Sequence, residues 1–345
     1  MRTRALPLAV ALTLAVAACA PTVSPSPSAS VEPSAAASPS GELRQVRLLL
    51  GFRPDVQFAP FYLGQQAGYY ADAGLEVTIE HASGGELIRL VADGQAEFGV
   101  ADATDVMIAR TSGIPVKYVS TLFQSFPVAL IGPAGTVPSD PAELVGLRIG
   151  TPGRFGSSWH ALLALLDAGG LTPDDVTVRE YPQFNQVDGL LNGDVDLITG
   201  FRNNEPVRLA AEGMETDLLT VDDVAPLPGP GVVVGDAADP GLVEAFAVAT
   251  ILAQDAVIAD PEVGLQAALA AVPTIAEDIE TARTVLRATV DLWSGTGEFP
   301  TGAINADLWA AAWVTMQTLG FIDGSVPVSD MIFAPEEAPA TLSRR

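Results

Sequence analysis

The chain has 345 residues, with 42 acidic against 17 basic side chains, a formal net charge of −25 and one cysteine. That charge excludes nucleic acid and anionic lipid surfaces as partners, because both are held by basic patches. With Cys19 alone, a disulfide, a cysteine-ligated metal site and a cysteine nucleophile are excluded from the rest of the chain.

Met1-Arg2-Thr3-Arg4, the apolar run from Ala5 to Ala18 and then Cys19 have the layout of a secretory signal. The run is shorter than the ~20 apolar residues a membrane span needs, and no basic stop-transfer flank follows it. Residues 1–18 are therefore expected to be a removed leader. Val16-Ala17-Ala18-Cys19 resembles a bacterial lipobox, which implies that Cys19 is acylated and becomes the mature N-terminus of a protein anchored on the outer face of the cell membrane. Residues 19–43 are Pro, Ser and Ala with little else, too poor in large apolar side chains to build a core. Extended at about 3.1 Å per residue, some 20 such residues form a tether of roughly 60 Å.

From Gln45 onward, short β-like runs alternate with amphipathic segments. Val46–Leu50, Leu75–Ile79, Glu97–Val100 and Val116–Leu122 read as strands; Phe58–Asp72, Glu86–Ala92 and Asp102–Ser112 read as helices. A second series follows Gly132-Pro133: strands at Leu147–Gly150, Val176–Arg179 and Leu197–Thr199, and helices at Ser157–Ala168 and Gln183–Leu191. In the first of these helices Trp159, Leu162, Leu163 and Leu166 make one apolar stripe, which places Trp159 in the core. Repeated β-α units with short connections predict mostly parallel sheets covered by helices. After Pro226–Gly231 come one apolar run, Val232–Val234, and Ala-rich helical patterns near 240–258, 261–272, 277–292 and 304–320. A helical tail cannot bury its apolar faces alone, so the chain is expected to return to the first lobe. The fold class that follows is α/β with two lobes and a two-crossing hinge. Residues 44–130 plus 230–345 form lobe 1 and 131–229 form lobe 2, with crossings near Phe126–Ile131 and Leu227–Val234.

Pro54–Tyr62, Ala67-Gly68-Tyr69-Tyr70, Ala73–Val77, Leu90–Val100 and Gly113-Ile114-Pro115-Val116 resemble the taurine/sulfonate and thiamine-pyrimidine type of periplasmic binding protein. The resemblance covers residues 44 to 335 and implies the type II periplasmic binding protein fold. Phe123–Pro127, Gly153–Ser157 and Asn203-Asn204-Glu205-Pro206 look most like the branch of riboflavin-binding importer proteins. The implied role is capture of a small aromatic heterocycle, riboflavin first, for an ABC permease and its ATPase, by a monomer that needs no cofactor. Thiamine-precursor pyrimidines and sulfonate- or nitrate-type anions are the alternatives, and a tethered sensor without transport is the alternative class. The Cys-rich motif of the related thiamine-pyrimidine synthases is absent.

In open α/β sheets ligands gather at the carboxyl ends of strands, which directs attention to strand-to-helix turns. After the first strand stand Gln57, Phe58, Phe61 and Tyr62, with Phe61 and Tyr62 equally suited to the core. After the third stand Asp102 and Thr104, for which helix capping is placed slightly ahead of ligand contact. Gln124 and Phe126 lie at the first crossing. In the second lobe Arg154, Phe155, Ser157 and Ser158 form one turn, Phe184 and Asn185 another, and Phe201, Asn203, Asn204 and Glu205 a third. Hydroxyls, amides and a carboxylate can read a heterocycle's edge or a polyol. Eight phenylalanines near these turns (52, 58, 61, 123, 126, 155, 184 and 201) favour a flat ring, and about half of them are expected to be core. Arg53, Arg154 and Arg202 are the cations an anionic ligand would use. Neither histidine has metal-ligand spacing, Ser158 and His160 point to different helix faces, and no phosphate loop is present, so no catalytic residue is assigned.

Overall fold

A computed structural model describes residues 42–82, 84–222, 224–324 and 326–334. The expected leader, Cys19 and most of the tether lie outside these residues. Leu48, Leu49 and Leu50 are buried on both faces of β1 (Arg44–Leu50), as an interior strand requires. β1 pairs in parallel with β2 (Leu75–His81) and β3 (Phe98–Ala101). Between β1 and β2 the expected single helix is broken into a 3-10 turn (Val56–Phe58), α1 (Ala59–Gln66) and α2 (Tyr69–Asp72). The break falls at Gly68, whose φ of 86° no helix contains. α3 (Gly84–Ala92) leads to β3, and α4 (Ala103–Thr111) to β4 (Val116–Thr121).

The chain then crosses to a second sheet made of β5 (Val128–Pro133), β6 (Arg148–Thr151), β7 (Thr177–Glu180), β8 (Leu197–Phe201) and β9 (Thr216–Thr220). Its helices are α5 (Gly156–Ala168), α6 (Gln186–Leu191) and α7 (Glu205–Ala211). The strand order is β7-β6-β8-β5-β9, with β5 antiparallel to both neighbours. The expected division at 130/131 thus falls inside β5, whose residues 128–130 pair in the second sheet.

The chain returns to the first sheet as β10 (Gly231–Gly235), inserted antiparallel between β3 and β4 to give the order β2-β1-β3-β10-β4. Both sheets are therefore mixed rather than mostly parallel, because each admits a strand that enters from the other. The two crossings lie side by side: Leu122 and Phe123 N–H groups both donate to the Pro230 carbonyl, at 3.0 and 3.1 Å. α8 (Pro240–Ala259), α9 (Pro261–Ala271), α10 (Ile279–Ser294) and α11 (Ala306–Thr318) then pack against the first sheet and its helices. α8 is long and apolar enough to cross a bilayer. Its Val243, Phe246, Ala249, Ala253 and Val257 are instead buried in the core, and Thr250 and Gln254 are bonded to Tyr70 and the Leu122 carbonyl.

Gly231 lets β10 seat. A Cβ there would stand 2.2 Å from the Ser120 carbonyl oxygen and 2.3 Å from the Tyr118 hydroxyl. Gly231→Ala is expected to force the strand away from β4 at the ~1–3 kcal/mol of overpacking, lowering Tm by several degrees in calorimetry. An unchanged Tm would show that β10 has slack.

Candidate ligand cavity

The carboxyl ends of strands from both sheets converge on one cavity of about 940 Å³, including space open to solvent. Six phenylalanines line it, three from each side: Phe52, Phe58 and Phe123 with the first sheet, Phe155, Phe184 and Phe201 with the second. Two pairs meet edge to face across it, Phe52 with Phe184 at 5.0 Å and 87°, and Phe123 with Phe201 at 6.0 Å and 80°. Such pairs contribute about 0.5–1.5 kcal/mol beyond area burial, and they leave ring faces to meet a flat ligand. Phe184 alone among the described non-glycine residues has a positive φ, 56°. Backbone strain of this kind persists where surrounding structure enforces it, and here it accompanies a ring set edge to face with Phe52.

Of the residues expected from the sequence, ten line the cavity: Gln57, Phe58, Asp102, Phe155, Ser157, Ser158, Phe184, Phe201, Asn204 and Glu205. Eight do not. Phe61 and Phe126 are core. Tyr62 is buried, with its hydroxyl 3.4 Å from His81 Nε2. Thr104 Oγ1 is 2.8 Å from His160 Nδ1 on α5, a contact between the two sides rather than with the cavity. Gln124 donates to the carbonyls of Pro300 and Ala303, bracing the segment before α11. Arg154 lies over the Trp159 ring at 5.0 Å and pairs with Glu180. Asn185 is exposed at the start of α6, and Asn203 donates to Thr289 Oγ1 on α10 at 2.7 Å.

Asp102 holds the N-cap position of α4 but makes no side-chain cap bond, against the capping expectation. Its carboxylate instead accepts the Ser157 N–H at 2.8 Å, at the N-terminus of α5 on the opposite side, where a helix favours negative charge. On the other flank, buried Asp55 accepts from Arg208 Nη2 at 3.0 Å and, at 3.5 Å, from Asn204 Nδ2, while Arg208 Nε also donates to Asn204 Oδ1. The two sides are thus fastened at both flanks of the cavity. Phe52, Phe123, Asp105 and Gln186 line it as well. Asp105 lies in the first turn of α4, three residues beyond the N-cap Asp102, and a Cβ at Gly156 would stand 3.0 Å from Asp102 Oδ2 and 4.0 Å from Asp105 Oδ2. Gln186 is hidden in a short helix that carries no motif.

Residues 55–263 match the family described as NMT1/THI5 like. Over 295 residues the chain is 33% identical to the riboflavin-binding protein RibY of Chloroflexus aurantiacus, covering 83% of this chain and 84% of that protein. The chain belongs to the NMT1/THI5-like family. A second relative in sequence, a 4-amino-5-hydroxymethyl-2-methylpyrimidine phosphate synthase of Legionella pneumophila, is 30% identical over 185 residues, 53% of this chain and 57% of that one. The aliphatic sulphonate binding protein SsuA of Escherichia coli has a TM-score of 0.65 at 13% identity, covering 87% of this chain and 94% of its own. The alkanesulfonate-binding protein SsuA of Xanthomonas axonopodis pv. citri, bound to MOPS, has a TM-score of 0.66 at 16% identity, covering 85% and 99%. The periplasmic binding protein fold expected from the sequence is the fold of this NMT1/THI5-like chain.

The cavity of this NMT1/THI5-like protein is acidic. Asp102, Asp105 and Glu205 line it, and no Lys, Arg or His does among the described residues. Burial pushes the Asp102 carboxyl up, against the two hydrogen bonds from Ser157 that pull it down. Burial and the charge of Asp102 push Asp105 well above the usual range. Burial raises Glu205 to about 7, although the Phe201 N–H, at 2.7 Å, favours its charged form. His160, behind Thr104, is held down to about 4 by burial and is neutral near pH 7. Of the cations expected for an anionic ligand, Arg154 pairs with Glu180 and Arg202 with Asp222, while Arg53 lies over the lining ring of Phe52 at 5.2 Å and its charge favours the ionised form of Glu205. The arrangement suits a flat ring with hydrogen-bonding groups at its rim, and it offers a sulfonate or nitrate no lining cation among the described residues.

Proposed function

We propose that this chain is the solute-binding component of an ABC importer and that its ligand is a neutral aromatic heterocycle, riboflavin before others. The observation that carries this reading is the cavity itself, with six phenylalanine rings, three carboxyl groups and, among the described residues, no cation lining it. The RibY relative supports riboflavin by its name and by identity over most of both chains. The residues assigned to binding are the ten expected ones that line the cavity together with Phe52, Phe123, Asp105 and Gln186. In this reading the two sides part about the crossings to admit ligand, close on it, and present the closed form to a permease driven by a separate ATPase. Cys19, acylated, holds this monomer to the outer face of the membrane, and the tether gives it reach.

An aminopyrimidine is the second ligand this site favours, since buried carboxyl groups also suit its amino hydrogens. The test is calorimetric titration of the purified chain, freed of carried-over ligand by unfolding and refolding. One-to-one binding of riboflavin at submicromolar concentration is expected, with no response to an alkanesulfonate. Silence toward riboflavin with a response to an aminopyrimidine would move the ligand; a response only to the sulfonate would overturn the charge argument.

A further inference from the structure

Six residues carry buried polar side-chain atoms without a partner among the described residues, and Gln186 is the one that lines the cavity. It sits in the first turn of α6, beside Phe184, and is 1% exposed. Its Nε2 lies 3.4 Å from the Thr199 carbonyl oxygen and 3.3 Å from Glu205 Oε1, while its Oε1 has no partner. The orientation of this amide follows from its neighbours. Turned over, its oxygen would face the Thr199 carbonyl oxygen, which has no proton to give it. Glu205 is itself fixed by the Phe201 N–H, so the amide is held from behind. What remains is one unpartnered acceptor on a residue that lines the aromatic cavity. Buried acceptors without partners are rare in native proteins, and one on a ligand cavity is matched when the ligand brings a donor.

Resting on the reading of this cavity as a flavin site, we propose that Gln186 selects the ligand's edge, its side-chain carbonyl accepting an imide or lactam N–H in the plane of the ring. Riboflavin carries one such donor, at N3 between two carbonyl groups. Gln186 is a specificity-determining residue on this account: rings blocked at that nitrogen are rejected even though their stacking surface is unchanged. A hydrogen-bonding site discriminates strongly against an analogue that lacks the donor, because the buried acceptor is then left unpaired.

The test compares riboflavin with N3-methylriboflavin on the wild-type chain and on Gln186→Leu and Gln186→Met, with Tm and circular dichroism as checks that the variants fold. Wild type is expected to bind the methylated ring about tenfold or more weakly, and both variants are expected to lose most of that preference. A merely structural role for Gln186 would weaken both ligands alike and leave the ratio intact, and that result overturns the inference. Equal binding of both flavins by wild type would sink it while leaving the flavin reading in place. Binding of neither would remove both.

Discussion

Alanine at Asp55 is expected to weaken riboflavin binding by about tenfold or more and to leave the ligand-bound protein more expanded in solution. Asp55 is 4% exposed and gathers three contacts: the Arg208 guanidinium and the Asn204 amide from α7, and the Gln57 N–H, at 3.3 Å, from its own turn. Breaking a buried ion pair costs about 3–5 kcal/mol when one charge is stranded. Arg208 is 38% exposed, so water screens it and the expected loss is nearer ~1.5–2 kcal/mol, or about ten- to thirtyfold in Kd. Asp55→Asn separates the two roles, since it can keep the bond to the Gln57 N–H while removing the charge. Titration gives the affinity, and small-angle scattering of the saturated protein gives the radius of gyration. Wild-type values of both in Asp55→Ala would show that the flank carrying Asp102 and Ser157 closes the cavity unaided.

Replacing Glu205 with Gln is expected to stabilise the protein at pH 8 and to have little effect near pH 4.5. The carboxyl titrates near 4.5 in the unfolded chain and at about 7 in the folded one. Between those values the folded protein keeps a proton that the unfolded chain releases, so this group's contribution to stability falls as pH rises through the window and the penalty is complete above about 7. The difference corresponds to roughly 3 kcal/mol. Gln is neutral throughout and can still accept the Phe201 N–H, so the gap in Tm between variant and wild type should widen by several degrees from pH 5 to pH 8. Parallel profiles would mean that Glu205 is not protonated in the folded protein near neutrality.

Periodicity made the α/β alternation legible, because strands such as β1 and helices such as α5 carry their burial in adjacent residues. It gave no sign of β9, whose Thr216–Thr220 is half exposed and shows no alternation, or of α7, seven residues long and opened by Pro206. The carboxyl-end rule located the turns around the cavity, and six of the eight phenylalanines singled out do line it, more than the expected half. The failures at these turns were of direction. Thr104 and Asn203 belong to the right segments, but each spends its side chain on a partner far away in sequence, 56 and 86 residues distant. Asp55 and Arg208 are separated by 153 residues, and no local pattern announces a pair of that kind.

The position of β10 also orders assembly. Residues 128–220 supply every strand of the second sheet without a break, whereas the first sheet lacks its fourth member until Gly231 can reach Ala101, some 130 positions earlier. Pairing so far apart in sequence is slow to form. The second sheet is therefore expected to be able to finish while the chain is still emerging, whereas the β3 and β4 edges of the first have their partner only once β10 arrives. A ligand that touches phenylalanines on both sides meets a competent site only after that last strand is in place, so acquisition of binding reports completion of the whole fold.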